Sequence, residues 1–229
     1  VHTFCRFHFP EHQVWNRDID KLAPIKLLQL LSEKSGVSLD QVEATTLRSY
    51  EGYLFERLNS FGNSKWIMPL GIFHRTRKNF GLQFCPSCFI KDGHNPYFRK
   101  SWRLSLSVVC PRCQLILYDC CPFCAAPIAF HRVELGTKNS LISQLPCYCS
   151  SCRNDLRNAT QIKCSQSILR IQRDIETITR LGYTKNIQYS HLYFDVLYQI
   201  TSILSSGSSK NYKFQDLVFS SVGLPQRVS

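Results

Sequence analysis

The sequence predicts a mainly α-helical chain with a small amount of β structure, in which two helical parts flank a cysteine-rich centre. Apolar residues recur at helical spacing near both ends of the chain. Between them, eight of the twelve cysteines form four Cys-x-x-Cys pairs within residues 85–152. Short apolar runs at 103–109 and 114–118 are candidates for strands. We therefore expect three parts: residues 1–60, residues 61–160 and residues 161–229.

The N-terminal part is predicted to contain two short helices in a helix-turn-helix-like arrangement. Pro24 suits the first turn of a helix and Gly36 suits its end. The segment Ser38-Leu-Asp-Gln41 fits a capping box, which would open a second helix that reaches about Arg48. The apolar stripe of the first helix consists of Leu27, Leu28, Leu30 and Leu31. The same pattern also fits two helices that only pack against each other, so it does not by itself indicate DNA binding.

The C-terminal part is predicted to contain two longer helices and a short one. In the first, isoleucines recur three or four residues apart and share one face; they are Ile168, Ile171, Ile175 and Ile178. A second helix is expected over about 191–205. The serine- and glycine-rich residues 205–209 then break the pattern before a short amphipathic piece near 212–222.

The four Cys-x-x-Cys pairs predict two structural zinc sites. Each pair directs two thiolates towards one point, and two pairs complete a tetrahedral Cys₄ site. The eight predicted ligands are Cys85, Cys88, Cys110, Cys113, Cys121, Cys124, Cys149 and Cys152. Because a closed Cys₄ site leaves no position for a substrate, we expect two Zn²⁺ ions that build tandem zinc ribbons or fingers and perform no chemistry. Disulfides are less favoured, since they need an oxidising compartment.

Two pairings of these cysteine pairs are open. A sequential scheme joins the first pair with the second and the third with the fourth, whereas a cross-braced scheme joins the first with the third and the second with the fourth. We favour the sequential scheme because local closure costs less loop entropy. Cys120 and Cys147 lie beside proposed ligands and are alternatives to them.

The charge of the chain predicts a polyanionic partner. Lys and Arg outnumber Asp and Glu by 28 to 16, which gives a net charge of +12. Residues 60–113 hold nine of these cations and a single acid, Asp92. Nucleic acid is the usual partner of such a surface, although a merely solvated basic surface has the same composition. The candidate contacts to the DNA backbone are Arg75, Arg77, Lys78, Arg99, Lys100 and Arg103. Trp66 and Trp102 are candidates for base stacking, although packing in the core is favoured for both.

The sequence contains no apolar run long enough to cross a membrane and no signal-peptide pattern, so a cytoplasmic protein with reduced thiols is expected. The chain begins at Val1 and its single methionine is Met68. We therefore expect the native start to lie upstream.

Several motifs along residues 1–160 follow one another in an order that resembles the TniQ/TnsD family. They are Trp15-Asn-Arg-Asp18, Arg48-Ser-Tyr-Glu-Gly52, Pro69-Leu-Gly-Ile-Phe-His-Arg-Thr-Arg77, Gly81-Leu-Gln-Phe-Cys-Pro-Ser-Cys88, Pro96-Tyr-Phe-Arg99, Trp102-Arg-Leu104, Cys110-Pro-Arg-Cys113, Cys121-Pro-Phe-Cys124 and Cys152-Arg-Asn-Asp-Leu-Arg157. The chain departs from the family pattern at Cys113, where many members have His, and at Arg153, where Gly is frequent.

The resemblance implies a target-selection factor of a bacterial transposon. Such a protein binds DNA, a CRISPR guide complex or both, and it recruits an AAA+ regulator and a transposase. Two other classes stay open at this point. A nuclease or transposase would need clustered carboxylates, but the acids between residues 60 and 160 form no motif; they are Asp92, Asp119, Glu134 and Asp155. A zinc-ribbon transcription regulator would share the chemistry and differ in its partner.

Overall fold

The computed structural model describes residues 7–12, 14, 17–70, 80–132, 144–206 and 211–221. Within these ranges the chain is mainly helical and contains one two-stranded sheet, which agrees with the predicted fold class. No helix of the described ranges is long and apolar enough to span a bilayer.

The N-terminal helices form as a local hairpin. They are α1 (Ile19–Leu22), α2 (Ile25–Ser35), α3 (Leu39–Ala44) and a 3₁₀ turn, Leu47–Tyr50. Gly36 ends α2 at φ 70°, and the Ser38–Gln41 capping box opens α3 as predicted. Pro24 lies one residue outside α2, at its N-cap. The predicted extension of α3 to Arg48 is wrong, since the hydroxyls of Thr45 and Thr46 donate to the last carbonyls of α3 and the chain then turns.

The cysteine-rich centre has little regular structure. It contains α4 (Pro86–Lys91), β1 (Val109–Cys110), β2 (Leu115–Ile116) and three 3₁₀ turns, Lys100–Arg103, Phe130–Arg132 and Leu156–Asn158. β1 and β2 are antiparallel, with Cys110 opposite Leu115. The predicted strand over 103–109 is wrong except at its end. Trp102, Arg103 and Leu104 are all buried, and a turn can bury three consecutive side chains whereas a half-exposed strand alternates.

The C-terminal part forms the three predicted helices, α5 (Gln166–Leu181), α6 (Ser190–Ser205) and α7 (Tyr212–Ser221). The predicted isoleucine stripe of α5 is confirmed in part, since Ile175 and Ile178 pack against a core cluster that includes Phe194 of α6. Leu169 and Gln172 are the buried residues of α5, whereas Ile171 is 59 % exposed. Gln172 is buried because its side-chain oxygen accepts the backbone N–H of Val108, which ties α5 to the centre.

One hydrophobic cluster joins all three parts. It contains Leu47 and Leu54 from the N-terminal part, Trp66 and Leu104 from the centre, and Phe194 from α6. The indole N–H of Trp66 also donates to the carbonyl of Phe194 at 3.1 Å. The three predicted parts therefore share a core, and the C-terminal helices are packed against the rest rather than appended to it.

A close backbone approach brings Leu70 and Gly81 together. A Cβ on Gly81 would lie 2.1 Å from the carbonyl oxygen of Pro69 and 2.8 Å from the Cα of Leu70. The segments on both sides of this contact are hydrogen-bonded to the same turn. The backbone N–H of Met68 donates to the carbonyl of Arg103, and that of Gln83 donates to the carbonyl of Trp102. Leu70 and Gly81 therefore lie next to each other beside this turn.

This contact predicts that Gly81→Ala destabilises the protein. The added methyl group meets backbone atoms that cannot rotate away, so we expect a loss of about 3 kcal/mol, at the upper end for overpacking. Gly93→Ala is the matched control, since it adds the same methyl group in open space at φ 61° and should cost about 1 kcal/mol. Urea unfolding measures both, and equal losses in the two variants would contradict the contact.

Candidate metal centres and nucleic-acid surface

The first cysteine cluster brings together the first two pairs. Cys85 and Cys88 flank the start of α4, where Pro86 occupies the first helical position, and Cys110 ends β1. The sulfur of Cys88 lies 3.6 Å from that of Cys110 and 3.6 Å from that of Cys113. All four sulfur atoms lie within 4.8 Å of one another, and three of the four residues are buried.

The second cluster joins the remaining two pairs. Sulfur atoms lie 3.6 Å apart between Cys121 and Cys152 and 3.7 Å apart between Cys124 and Cys149. Cys124 is exposed here, so this cluster is more open to solvent than the first. The grouping in both clusters is the sequential one.

The distances fit a tetrahedral metal ion. Zinc–sulfur bonds of about 2.3 Å give sulfur–sulfur edges of about 3.8 Å, close to the observed separations. A disulfide would need about 2.0 Å, and every cysteine of the described residues is a free thiol. Within that part of the chain, these two clusters are the groups of three or more Cys, His, Asp or Glu side chains with metal-binding geometry.

The backbone after three of the four pairs follows one pattern. The residue after the second cysteine is left-handed in each case: Gln114 at φ 57°, Ala125 at φ 57° and Arg153 at φ 63°. Its N–H donates to the carbonyl of the first cysteine of the pair, at 2.7, 2.8 and 3.0 Å respectively. This conformation favours glycine, which explains physically why Gly suits the position of Arg153.

Proton sharing in the first cluster also favours a cation. Hydrogen bonds from the thiols of Cys85 and Cys88 lower the pKa of Cys110, whereas the bond to Cys110 is the main cause that raises the pKa of Cys85. Thiols in such contact cannot all lose their protons unless a positive ion offsets the charge. A metal ion provides that charge and binds the thiolate form.

The leftover cysteines do not join either cluster. Cys147 is fully buried, and Cys120 and Cys164 are half-buried. Cys120 and Cys147 therefore do not replace their neighbours as ligands. Cys5 lies outside the described residues.

The candidate DNA contacts fall into two groups. Arg75, Arg77 and Lys78 lie outside the described residues. Arg99, Lys100 and Arg103 lie in the centre, where each contacts other residues of the chain.

Arg103 is part of the core. Its side chain is 2 % exposed and donates to both carboxylate oxygens of Asp18 at 3.0 and 2.7 Å. It also contacts Asp20 at 3.4 Å and the carbonyl of Met68 at 3.2 Å. This ion pair ties the start of α1 to the cysteine-rich centre and occupies the guanidinium of Arg103 within the protein.

Arg99 and Lys100 are half-buried. Arg99 makes a bidentate ion pair with Asp92, at 2.5 and 2.6 Å, and its guanidinium lies 4.1 Å from the ring centre of Tyr97. Lys100 donates to the carbonyl of Ala44 at 2.6 Å and to the hydroxyl of Ser49. Burial lowers the pKa of Lys100. Trp66 and Trp102 are both buried, which agrees with the favoured core role.

The TniQ family model matches residues 1–117, which is just over half of the chain. The chain belongs to the TniQ family. This membership links it to DNA transposition. The search of curated proteins found no match.

The TniQ match includes the N-terminal hairpin, the first cysteine cluster and the Arg103–Asp18 pair, and it ends before the second cluster. Sequence reasoning missed the partners of the central cations, Asp18, Asp92 and Ser49. Two of them could have been suspected from the sequence, because Asp18 and Ser49 lie in motifs that resemble those of the TniQ/TnsD family. Their contacts with Arg103 and Lys100 needed the fold, since they lie 85 and 51 residues away in the chain.

The buried ion pair predicts that replacing Asp18 lowers the free energy of unfolding more than replacing Asp195 does. Asp18→Ala leaves the buried guanidinium of Arg103 with the longer contact to the half-exposed Asp20 and with the neutral carbonyl of Met68, so we expect a loss of about 3 kcal/mol. Asp195→Ala is the control, since its pair with Lys65 is well exposed and should contribute less than about 1 kcal/mol. Urea unfolding of both variants tests this, and a loss for Asp18→Ala no larger than for Asp195→Ala would refute it.

The two clusters predict two zinc ions per chain by elemental analysis. Cys88→Ser should reduce the count to one and lower the melting temperature strongly, because zinc binding at such a site contributes on the order of 10 kcal/mol. Cys164→Ser, which removes a thiol outside both clusters, should retain two ions. A count of two in the Cys88→Ser protein would contradict the assigned ligand set.

Proposed function

We propose that this chain is a non-catalytic adaptor that selects the insertion site of a bacterial transposon. It contacts DNA, or a CRISPR guide complex that recognises the DNA, and it recruits an AAA+ regulator and a transposase. The observation that carries this proposal is membership of the TniQ family over residues that include the first cysteine cluster. We propose two Zn²⁺ ions as structural cofactors, each held by four thiolates.

The distribution of charge supports a DNA-contacting role for residues 71–79. Arg99, Lys100 and Arg103 are already engaged within the protein, which leaves Arg75, Arg77 and Lys78 as the candidates of greatest weight. Leu70 and Gly81, which lie on either side of them in the sequence, contact each other beside the turn that contains Trp102. Three cations within four residues of sequence concentrate positive charge, which suits the phosphate backbone.

Two further exposed cations lie at the first cluster. Lys91 ends α4 with its ammonium 3.6 Å from the sulfur of Cys113, and Arg112 lies between Cys110 and Cys113. A rigid metal-bound turn can hold such side chains in a fixed position. This arrangement lowers the entropy lost when they contact phosphates.

Two of the four acids of the centre are already paired, which supports a non-catalytic role. Asp92 is held by Arg99, and Asp155 is held by Arg157 at 2.7 Å. Metal-assisted phosphoryl transfer needs carboxylates that converge on a free metal position. Within the described residues, the groups with metal-binding geometry consist of cysteines alone, and each offers four ligands.

Direct DNA binding predicts a steep dependence of affinity on salt. Replacing Arg75, Arg77 and Lys78 by Ala should weaken binding to duplex DNA and reduce the slope of log affinity against log salt by up to about 2.7, or 0.9 per lost phosphate contact. Fluorescence anisotropy over a salt series measures both effects.

The matched control removes the same charge elsewhere. Arg170, Arg173 and Arg180 are exposed on α5, and replacing all three by Ala should change the slope little. A flat salt response of the unmodified protein would overturn direct DNA binding. It would favour docking on a guide complex, which a pull-down with that complex would detect.

A further inference from the structure

A second surface feature lies on the N-terminal side of the cysteine-rich centre. It is a cavity of about 350 Å³ that is bounded by the turn at Pro96–Arg103, by Asp20 and Thr45 of the N-terminal part, and by Phe130. Two aromatic rings at this cavity face solvent to a large extent, since Tyr97 is 54 % exposed and Phe130 is 39 % exposed. Phe98 lies behind them, with its ring 5.7 Å from that of Phe130.

Charged and polar side chains line the cavity together with the aromatic rings. The guanidinium of Arg99 lies over the Tyr97 ring and keeps that ring in place. Lys100 also lines the cavity. On the opposite chain segment lie the half-exposed carboxylate of Asp20, which also contacts Arg103 at 3.4 Å, and the hydroxyl of Thr45, which donates to the carbonyl of Val42. The cavity therefore combines aromatic faces, two cations, one strong acceptor and one hydroxyl.

We propose that this cavity takes one unstacked base of a bound nucleic acid. A base presents two flat apolar faces, which Tyr97 and Phe130 can cover by stacking. Its exocyclic amino groups are donors that match the carboxylate of Asp20. The adjoining phosphate is an anion that matches Lys100, whose ammonium is bonded only to the neutral oxygens of Ala44 and Ser49 and keeps its charge. An apolar side chain of a protein partner would make no use of the carboxylate of Asp20 or of this ammonium.

The cavity also includes Leu82, which follows closely in sequence the residues proposed to contact the backbone. Leu82 and Arg103 line it, and the segments on either side of them pair with each other next to the Leu70–Gly81 contact. This inference rests on the proposed nucleic-acid contact and adds to it a preference for an unpaired base.

The test uses the zinc-loaded full chain and two duplexes of the same sequence. One is fully paired, and the other carries a single bulged 2-aminopurine, whose fluorescence reports stacking. We expect tighter binding of the bulged duplex, together with quenching of its probe. Tyr97→Ala and Phe130→Ala should each weaken binding of the bulged duplex by about fivefold to a hundredfold, the range for loss of one stacking ring. Both should leave the paired duplex unaffected.

Two controls separate stacking from folding. Tyr97→Phe keeps the ring and should retain the preference. Tyr183→Ala removes a ring that is equally exposed, at 53 %, between α5 and α6, and it should have no effect. Each variant is used once its zinc content and melting temperature match those of the unmodified chain; Phe130→Ala provides an independent reading where Tyr97→Ala does not meet this condition.

The outcomes distinguish the two proposals. Failure to bind either duplex overturns direct DNA contact and the DNA form of this inference with it. Equal binding of both duplexes, or a Tyr97→Ala and Phe130→Ala pair that retains the preference, overturns the base pocket alone. The same bulge in an RNA duplex identifies the source of the base. A preference there supports the pocket as a site for RNA, such as a guide, rather than for target DNA.

Discussion

The assembly of eight thiols into two tetrahedral clusters is the constraint on which the centre of this chain depends. The described centre contains one sheet of two residues per strand, which could not persist alone. Around the clusters, a core of aromatic and aliphatic side chains includes Phe84, Phe89 and Trp102, and it continues to Leu156 beyond the second cluster. Because both clusters border this one core, they fix the loops that connect them. Metal binding and folding should therefore be coupled in this region.

A buried ion pair then fixes the N-terminal hairpin on this centre. Arg103 is surrounded by core residues, and the carboxylate of Asp18 compensates its charge. Such pairs contribute little net stability relative to apolar packing, but they admit few alternative arrangements, since a buried charge without its partner is costly. The turn at Lys100–Arg103 thus has two roles. It holds the N-terminal part through Arg103 and Lys100, and it supports the cavity at Tyr97 and Arg99.

The fold divides the positive charges of residues 60–113 into two groups. The excess of Lys and Arg over residues 60–113 includes cations that neutralise acids inside the protein and cations that lie in exposed positions, such as Lys91 and Arg112. Net charge alone does not separate these groups. In the adaptor role proposed above, the engaged cations would build the surface and the exposed ones would be available to a polyanion. The aromatic rings beside them would add recognition of bases to recognition of phosphates.

Local patterns in the sequence determined the helices at both ends, the capping box at Ser38, the glycine end of α2 and the membership of the two cysteine clusters. These features depend on residues that are close in the chain or on a ligand spacing that allows few solutions. The sequence also led to the family, through motifs in a fixed order. Tertiary structure alone decided which cations are buried, which aromatic rings face solvent and which face of α5 is covered. The segment expected as a strand over 103–109 begins in a turn instead, where Arg103 is buried against Asp18. Burial and pairing over 85 residues of chain depend on the whole fold, and no local spacing encodes them.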